Sequence, residues 1–167
     1  MKKVTALRPG RGRNKRLNVF LDGNFAFSLE AEVVAREGLQ KEHELSNEQI
    51  DALTRSDLFH RGLNAALQYL SHRPRSESEL RLRLHKRGFN NADIDAVTTR
   101  LKEQGLLDDV SFTKSWAENR ESFSPRSQWL TGLELRRKGI ADDIIGDVVS
   151  TIDDNDSAYR AALSKTL

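Results

Sequence analysis

The feature that most constrains the fold is an internal repeat with a displacement of 51 residues. A unit of this length holds three helices and is too small to bury its apolar side alone, so neighbouring units are expected to stack and share a core. The helix that opens each unit corresponds more loosely, with Ala66 at the position of Ala117. The closer correspondences are Leu82 with Leu133, Leu84 with Leu135, Gly88 with Gly139, Phe89 with Ile140, Ile94 with Ile145, Val97 with Val148, and Leu101 with Ile152.

Helical spacing governs the chain after residue 30, where apolar residues recur every three or four positions. The predicted helices are 30–37, 47–72 with 56–57 as a candidate break, 77–87, 91–104, 109–121, 125–138, 142–152, and 157 onward. Capping signals mark their starts, and glycines that tolerate a left-handed backbone mark their ends. These signals are Ser46 with Gln49, Ser76 with Glu79, Ser124 before Pro125, and then Gly38, Gly88 and Gly139.

A small sheet is predicted ahead of the helices. Residues 17–21 and 25–29 alternate apolar and polar side chains around Asp22 and Gly23, and these two residues supply the positive φ values of a tight hairpin turn. Residues 4–7 could add a third strand. The fold class is therefore mainly α, with tandem three-helix repeats in a solenoid and a small N-terminal β-hairpin or three-stranded sheet.

Four segments are expected from these patterns. Residues 1–45 form a basic N-terminal arm, the hairpin and a short helix, and residues 46–107 form the first three-helix repeat with a leading helix. The second repeat covers 108–155, and 156–167 begins a third. A partial repeat leaves apolar surface uncovered, so the natural protein is expected to be longer.

Charge is distributed unevenly along the chain. Residues 141–156 carry six aspartates and no base, whereas residues 1–16 carry seven cations and no acid. This asymmetry favours a polyanionic partner, DNA, for the N-terminal end, although charges at a terminus can also serve only to solvate it. The predicted DNA-binding arm comprises Lys2, Lys3, Arg8, Arg11, Arg13, Lys15 and Arg16.

The second helix of each repeat is also basic. Cations that recur on stacked units would form a stripe suited to phosphates or to an acidic protein groove. The alternative is that each cation only stabilises the carboxyl end of its helix. The residues assigned to partner binding are Arg75, Arg81, Lys86, Arg87, Arg136, Arg137 and Lys138.

Catalytic and metal chemistry find little support. The chain has no cysteine, no GxSxG, Walker or HExxH motif, and its histidines (His43, His60, His72 and His85) are dispersed and expected on the surface. The Asp108 and Asp109 pair is interpreted as helix capping rather than as a Mg²⁺ site. We expect no enzyme activity, catalytic residue, metal or cofactor. With no long apolar run, a cytoplasmic location without membrane contact is expected.

Two aromatic residues, Phe112 and Trp116, lie four apart on one helix, which is the spacing of a buried stripe. Together with Trp129 they could instead form a base-stacking platform. The core interpretation is favoured for all three.

Residues 65–152 carry a dense set of family-typical positions: Ala66, Tyr69, Leu70, Ser71, Arg73, Arg75, Ser76, Glu79, Leu80, Leu84, Lys86, Gly88, Ile94, Val97, Leu101, then 105–109 (Gly-Leu-Leu-Asp-Asp), Phe112, Trp116, Arg120, Glu134, Leu135, Lys138, Gly139 and Ile140. In these residues the chain resembles the RecX regulatory proteins. The resemblance implies an elongated, curved molecule that binds RecA filaments on single-stranded DNA and modulates, mostly inhibits, their recombinase, ATPase and co-protease activities in recombination, DNA repair and the SOS response. It also implies weak affinity for single- and double-stranded DNA, and a monomer is expected. The alternative is a basic helical nucleic-acid-binding module without a RecA partner.

Overall fold

The computed structural model describes residues 1–12, 15–123, 127–152 and 154–166. It forms two compact units, 1–65 and 66–167, and helix α2 runs across their boundary. Within the described residues the order of elements is β1 (Lys2–Pro9), β2 (Arg16–Leu21), β3 (Asn24–Glu30), α1 (Ala31–Glu37), β4 (Glu44–Leu45), α2 (Asn47–His72), α3 (Glu77–Lys86), α4 (Asn91–Glu103), α5 (Asp109–Phe123), α6 (Gln128–Arg137), α7 (Asp142–Val149) and α8 (Asp154–Thr166). None of these helices is both long and apolar enough to cross a bilayer.

The first unit is built on a four-stranded antiparallel sheet with the strand order β3-β2-β1-β4. The predicted hairpin is confirmed, and Asp22 and Gly23 take φ values of 50° and 85° in its turn. The third strand expected at residues 4–7 is confirmed as β1, which extends over Lys2–Pro9 and so includes half of the segment predicted as a basic arm. One expectation needs correction: the sheet has a fourth strand, β4, whose two residues are too few to give an alternating pattern.

One face of this sheet forms the core of the first unit. Buried Val4, Val19, Leu21 and Leu29 pack with apolar residues of α1, α2 and the segment between them. Helix α2 is continuous through residues 56–57, so the candidate break is absent. Asp57 is buried in mid-helix, and its carboxylate accepts a hydrogen bond from the backbone N–H of Glu30 (2.7 Å). This contact explains why a polar residue here does not interrupt the helix.

The second unit contains the predicted second repeat and the part of the predicted first repeat (46–107) that begins at residue 66. Five of the seven matched pairs are buried in both repeats: Leu84 with Leu135, Phe89 with Ile140, Ile94 with Ile145, Val97 with Val148, and Leu101 with Ile152. A sixth pair consists of two glycines, Gly88 and Gly139. Leu82 is the exception in the first repeat, because 57% of it is exposed. The matched positions therefore mark the buried side of each repeat, and in the second repeat Leu135, Ile140 and Ile145 belong to one apolar cluster.

The two repeats meet where the carboxyl end of α6 approaches the amino end of α3. The Ser76 hydroxyl donates to the carbonyl of Lys138 (2.6 Å), and the Ser78 hydroxyl donates to the carbonyl of Gly139 (3.4 Å). Gly139 has a φ of +78°, and a Cβ at this position would overlap Ser78 Oγ and Cβ. Glycine is thus required at this junction by both backbone conformation and space.

Most helix boundaries agree with prediction, and the differences have local causes. Helix α6 begins at Gln128, where Ser127 Oγ accepts a hydrogen bond from Leu130 N (3.2 Å). The predicted cap at Ser124 and Pro125 lies outside the described residues. Helix α7 ends at Val149, three residues before the predicted end. The backbone N–H groups of Thr151 and Ile152 donate to the carbonyls of Val148 and Val149, three residues earlier, and so do not continue the α-helical pattern.

Candidate functional site

Three cations near the junction of the repeats contact one carboxylate, Glu79. Its Oε2 lies 2.8 Å from Arg73 Nη2 and 3.9 Å from Arg75 Nη1, and its Oε1 lies 3.2 Å from Lys138 Nζ. Only 13% of the Glu79 side chain is exposed. The group of Glu79, Arg73, Arg75 and Lys138, here called the Glu79 cluster, joins the first repeat to the second, so these cations stabilise the repeat junction.

Two aromatic rings extend this cluster. The guanidinium groups of Arg75 and Arg83 lie 4.0 and 5.4 Å from the ring centroid of Tyr69, within the range of cation–π attraction. In the second repeat, the cations of Arg120 and Lys138 lie 4.7 and 5.2 Å from the Trp116 ring. The rings thereby hold arginine side chains in fixed positions at both repeats.

Glu134 is the second carboxylate that organises this surface. Its Oε2 accepts hydrogen bonds from Trp116 Nε1 and Arg120 Nε, both at 2.9 Å. Sequence reasoning gave Glu79 a role only in the capping box with Ser76, whose hydroxyl accepts a hydrogen bond from Glu79 N (3.2 Å), and included Glu134 only as a family-typical position. The four-residue spacing of Arg75 and Glu79 is a signal that could have indicated one of these pairs.

Two other predicted partner-binding cations also have internal partners. Arg81 contacts Glu77 (3.1 Å) and Asp95 (2.7 Å), and the hydrogen bond to Asp95 raises the pKa of Arg81. Burial opposes ionisation of Glu77, but hydrogen bonds from Lys102 and Arg81 hold its pKa below the ordinary value. Arg136 contacts Asp142 (3.0 Å), where both side chains are largely exposed and the pair adds little stability.

The remaining three predicted residues, Lys86, Arg87 and Arg137, are exposed. Within the part of the chain that the structure describes, no ion pair or hydrogen bond of their side chains is found. Lys86 and Arg137 occupy equivalent positions of the 51-residue repeat. Arg137 lies at the end of α6 that approaches the start of α3, whereas Lys86 lies at the opposite end of α3. They are the cations of this set whose charge is available to a partner.

The cations of the predicted DNA-binding arm also differ in exposure and in whether an acidic side chain lies close to them. Lys2, Arg8, Arg11 and Lys15 are exposed. Lys3 is exposed but lies 2.6 Å from Glu42, and hydrogen bonding to Glu42 raises its pKa. Arg13 lies outside the described residues.

Arg16 has a structural position in the first unit. Its guanidinium contacts Glu30 (3.1 Å) and Asp57 (3.0 Å) and donates to the carbonyl of Ser28 (2.8 Å). Its side chain is only 20% exposed, so its charge is largely used inside the unit. Sequence reasoning placed Arg16 with the DNA-binding cations because its acidic partners are distant along the chain.

Asp108 and Asp109 both cap helices, but not the same one. Asp108 Oδ1 accepts from Val110 N (2.9 Å) and Ser111 N (3.3 Å) at the start of α5, and the bonds from Ser111 lower its pKa. Asp109 Oδ1 instead accepts from Glu77 N at the start of α3 (2.9 Å), and burial raises its pKa. Asp108 therefore caps α5, and Asp109 connects the start of α5 to the start of α3 in the preceding repeat. Among described residues, no group of three potential metal ligands is found.

The predictions that the aromatic residues lie in the core and the histidines on the surface are confirmed only in part. Phe112 is 5% exposed and Trp116 packs beside it in the core of the second repeat, as expected. Trp129 is 73% exposed, so the core interpretation was wrong for this residue. His60 is also not a surface residue, since it is 8% exposed and lies 3.1 Å from both Glu32 and Asn64.

The family models and the known proteins that match this chain indicate the same family. The model "RecX, first three-helix domain" matches residues 63–101, and "Regulatory protein RecX N-terminal domain" matches residues 2–46. "Regulatory protein RecX" of Clostridium perfringens (strain SM101 / Type A) is 31% identical over 161 residues, which are 96% of this chain and 75% of that protein. The protein of the same name from Listeria welshimeri is 30% identical over 159 residues, 95% of this chain and 59% of the relative.

Solved structures agree with the fold. A crystal structure of regulatory protein RecX superposes with a TM-score of 0.74 at 24% identity, covering 95% of this chain and 78% of that one. RecX from Lactobacillus salivarius superposes with a TM-score of 0.61 at 26% identity, covering 67% and 73%. The chain therefore belongs to the RecX family of non-enzymatic regulatory proteins.

Proposed function

We propose that this protein binds RecA filaments on single-stranded DNA and modulates, mostly by inhibition, their recombinase, ATPase and co-protease activities in recombination, DNA repair and the SOS response. The observation that carries the proposal is family membership over nearly the whole chain. Lys86 and Arg137 support it, because these exposed cations at equivalent positions of two repeats have no partner among the described residues and suit a partner whose acidic groups are themselves periodic.

Lys86, Arg87 and Arg137 are the proposed contact residues. They are free of internal partners within the described residues, whereas Arg75, Arg81, Arg136 and Lys138 have carboxylates nearby. The latter four are assigned a supporting part, in which they fix the positions of α3 and α6. Arginine can pair in a bidentate way with either carboxylate or phosphate, so the same cations suit filament protein and exposed DNA backbone.

Inhibition needs no chemistry. A protein that binds one conformational or assembly state of a filament more tightly than the others shifts the filament towards that state. The size of the shift is limited by the difference in affinity between the states.

The test is ATP hydrolysis by a cognate RecA filament on single-stranded DNA while the protein is titrated in at moderate salt. The triple variant Lys86→Glu, Arg87→Glu and Arg137→Glu should raise the concentration for half-inhibition about tenfold or more, since each lost pair contributes up to about 1 kcal/mol. The matched control reverses three exposed cations of the first unit, Lys41, Arg55 and Arg61, and gives the same change in net charge.

Unchanged inhibition by the α3 and α6 triple variant contradicts the assignment of these residues. If the wild-type protein has no effect on hydrolysis, the RecA proposal itself fails. Tight DNA binding that falls by about 10³ to 10⁵ between 50 and 200 mM salt would then favour the nucleic-acid-binding module without a RecA partner.

A further inference from the structure

The outer face of the N-terminal sheet carries two cross-strand rows of side chains. Strand pairing aligns Ala6 with Phe20 and Phe20 with Phe25, and the adjacent row is Arg8, Asn18 and Ser28. Paired residues of an antiparallel sheet share a face, and neighbours along a strand alternate between faces. The intervening residues Val4, Leu7, Val19, Leu21 and Phe27 belong to the core, so these two rows face away from it.

Irregularities in the strands place the aromatic residues on this outer face. The register shifts between Val19 and Phe20 in the β2–β3 ladder, so that Ala26 is the extra residue of a bulge. Bulges re-aim side chains in this way. Without it, the period of two would place Phe25 on the same side as Phe27, which packs against the core.

The phenylalanines are held together but not covered. The rings of Phe20 and Phe25 meet edge to face, with centroids 5.9 Å apart and planes at 75°, and the Arg8 guanidinium lies 5.1 Å from the Phe20 centroid. Phe25 is nevertheless 59% exposed. It also lies at the rim of a groove of about 400 Å³ at the turn end of the hairpin, which Lys2 and Asn24 line together with three residues of the core side, Leu21, Phe27 and Ile50. An exposed ring that its neighbours hold in place can stack on a planar ligand with little loss of side-chain freedom.

Charge on and around this face favours an anion. Neither outer row contains a carboxylate, and Glu30, which continues the β3 strand, is paired with Arg16. Arg8 lies on the face, and the exposed cations Lys2, Arg11 and Lys15 belong to the same strand or to the β1–β2 connection. Asp22 is an exposed carboxylate that lines the groove; it accepts a hydrogen bond from the backbone N–H of Lys3 (3.0 Å), which does not offset its charge, so the anion is expected on the Arg8 side of the face. An aromatic ring beside an arginine and further cations is the combination that binds single-stranded nucleic acids.

We propose that this face, defined by Phe20, Phe25 and Arg8, binds single-stranded nucleic acid by stacking bases on Phe25 while Arg8 and the neighbouring cations contact phosphates. A duplex keeps its base faces inside the stack, so only a single strand can use the exposed ring. The proposal differs from attraction by a basic segment alone, because it requires bases as well as phosphates. It also requires no RecA, so its success or failure is independent of the proposed function.

The test is fluorescence anisotropy of a labelled 20-nucleotide oligothymidylate, titrated with the full chain without RecA at 50 mM salt. Phe25→Ala should weaken binding at least about fivefold, the lower bound for loss of one stacked base. Phe25→Leu keeps an apolar side chain but not the ring and should weaken binding similarly. Phe25→Trp keeps an aromatic ring and should bind about as tightly as the wild type. Because Phe25 is exposed, all three variants should retain the wild-type far-UV circular dichroism spectrum.

Two control ligands separate stacking from charge. An abasic strand of equal length has the same phosphates without bases and should bind equally to wild type and Phe25→Ala. A duplex of equal length should also be insensitive to the substitution. Equal affinity of wild type and Phe25→Ala for oligothymidylate, or an equal loss on the abasic strand, would overturn the proposal. If Phe25→Ala altered RecA inhibition but left oligothymidylate binding unchanged, the proposal would also be overturned and the face would be assigned to a protein partner.

Discussion

Replacing Gly139 by alanine tests whether the repeats meet as closely as the structure shows. Gly139 and Gly88 are equivalent in the repeat and have similar backbone conformations, with φ values of +78° and +93°. A Cβ at Gly88 meets nothing within 4 Å, whereas one at Gly139 overlaps Ser78. Gly88→Ala is therefore a matched control that changes the backbone preference without the steric clash.

The expected magnitudes follow from these two effects. A left-handed alanine costs about 1–2 kcal/mol, which is the whole penalty expected for Gly88→Ala. Overpacking adds about 1–3 kcal/mol, so Gly139→Ala should destabilise the second unit by about 2–5 kcal/mol. Rotation of the Ser78 side chain cannot relieve the clash, because its Cβ is one of the overlapping atoms.

Urea unfolding followed by tryptophan fluorescence is the appropriate assay, since both tryptophans, Trp116 and Trp129, lie in the second unit. Ser78→Gly in the Gly139→Ala background should recover the steric part, about 1–3 kcal/mol, after correction for the single Ser78→Gly variant. Equal destabilisation by Gly88→Ala and Gly139→Ala, with no recovery in the double variant, would refute the close approach of α6 to α3.

Two further substitutions examine the charged groups of the second unit. Glu79→Gln should lower the free energy of unfolding by about 3 kcal/mol because it leaves three cations without their shared carboxylate, whereas Glu103→Gln, an exposed control, should change it little in the same urea assay. Asp108→Ala should cost about 1 kcal/mol at pH 7. Since the folded-state pKa of Asp108 is lowered, this difference should be complete well above pH 3.8 and disappear as the pH falls through the folded-state pKa; a difference that persists there would contradict the capping role. Asp109 has a raised pKa, so its ionisation opposes folding as the pH rises above 3.8, and Asp109→Asn should be neutral or stabilising at pH 7 by thermal unfolding.

Elements specified by local sequence were predicted well. The helices follow from apolar spacing, and the capping box of Ser46 and Gln49 forms both of its reciprocal hydrogen bonds, at 2.8 and 3.1 Å. The hairpin follows from the turn residues Asp22 and Gly23. Strand β4 could not be predicted, because two residues carry no periodicity and form a strand only by pairing with Lys2 and Lys3.

The candidate contact surface was predicted less completely. The sequence located the basic helices, but it could not show which of the seven cations assigned to partner binding have acidic neighbours in the fold. The structure distinguishes them by their partners: Lys138 lies at Glu79, Arg81 at Asp95, while Lys86 has no such neighbour among described residues. Phe25 was assigned only to the hairpin, since no pattern shows which sheet face a bulge will leave exposed.

By itself, the sequence determined all the helices, the hairpin, the repeat and the membership of a family, because helix periodicity, turn chemistry and caps act over a few residues and recur at a fixed displacement. Tertiary structure decided which charges are available and which are used internally. Ser76 and Lys138 are 62 residues apart in the chain and meet at a hydrogen bond of 2.6 Å. A side chain's charge is available to a partner only if the fold brings no opposite charge to it, and that depends on contacts between residues that are distant in sequence.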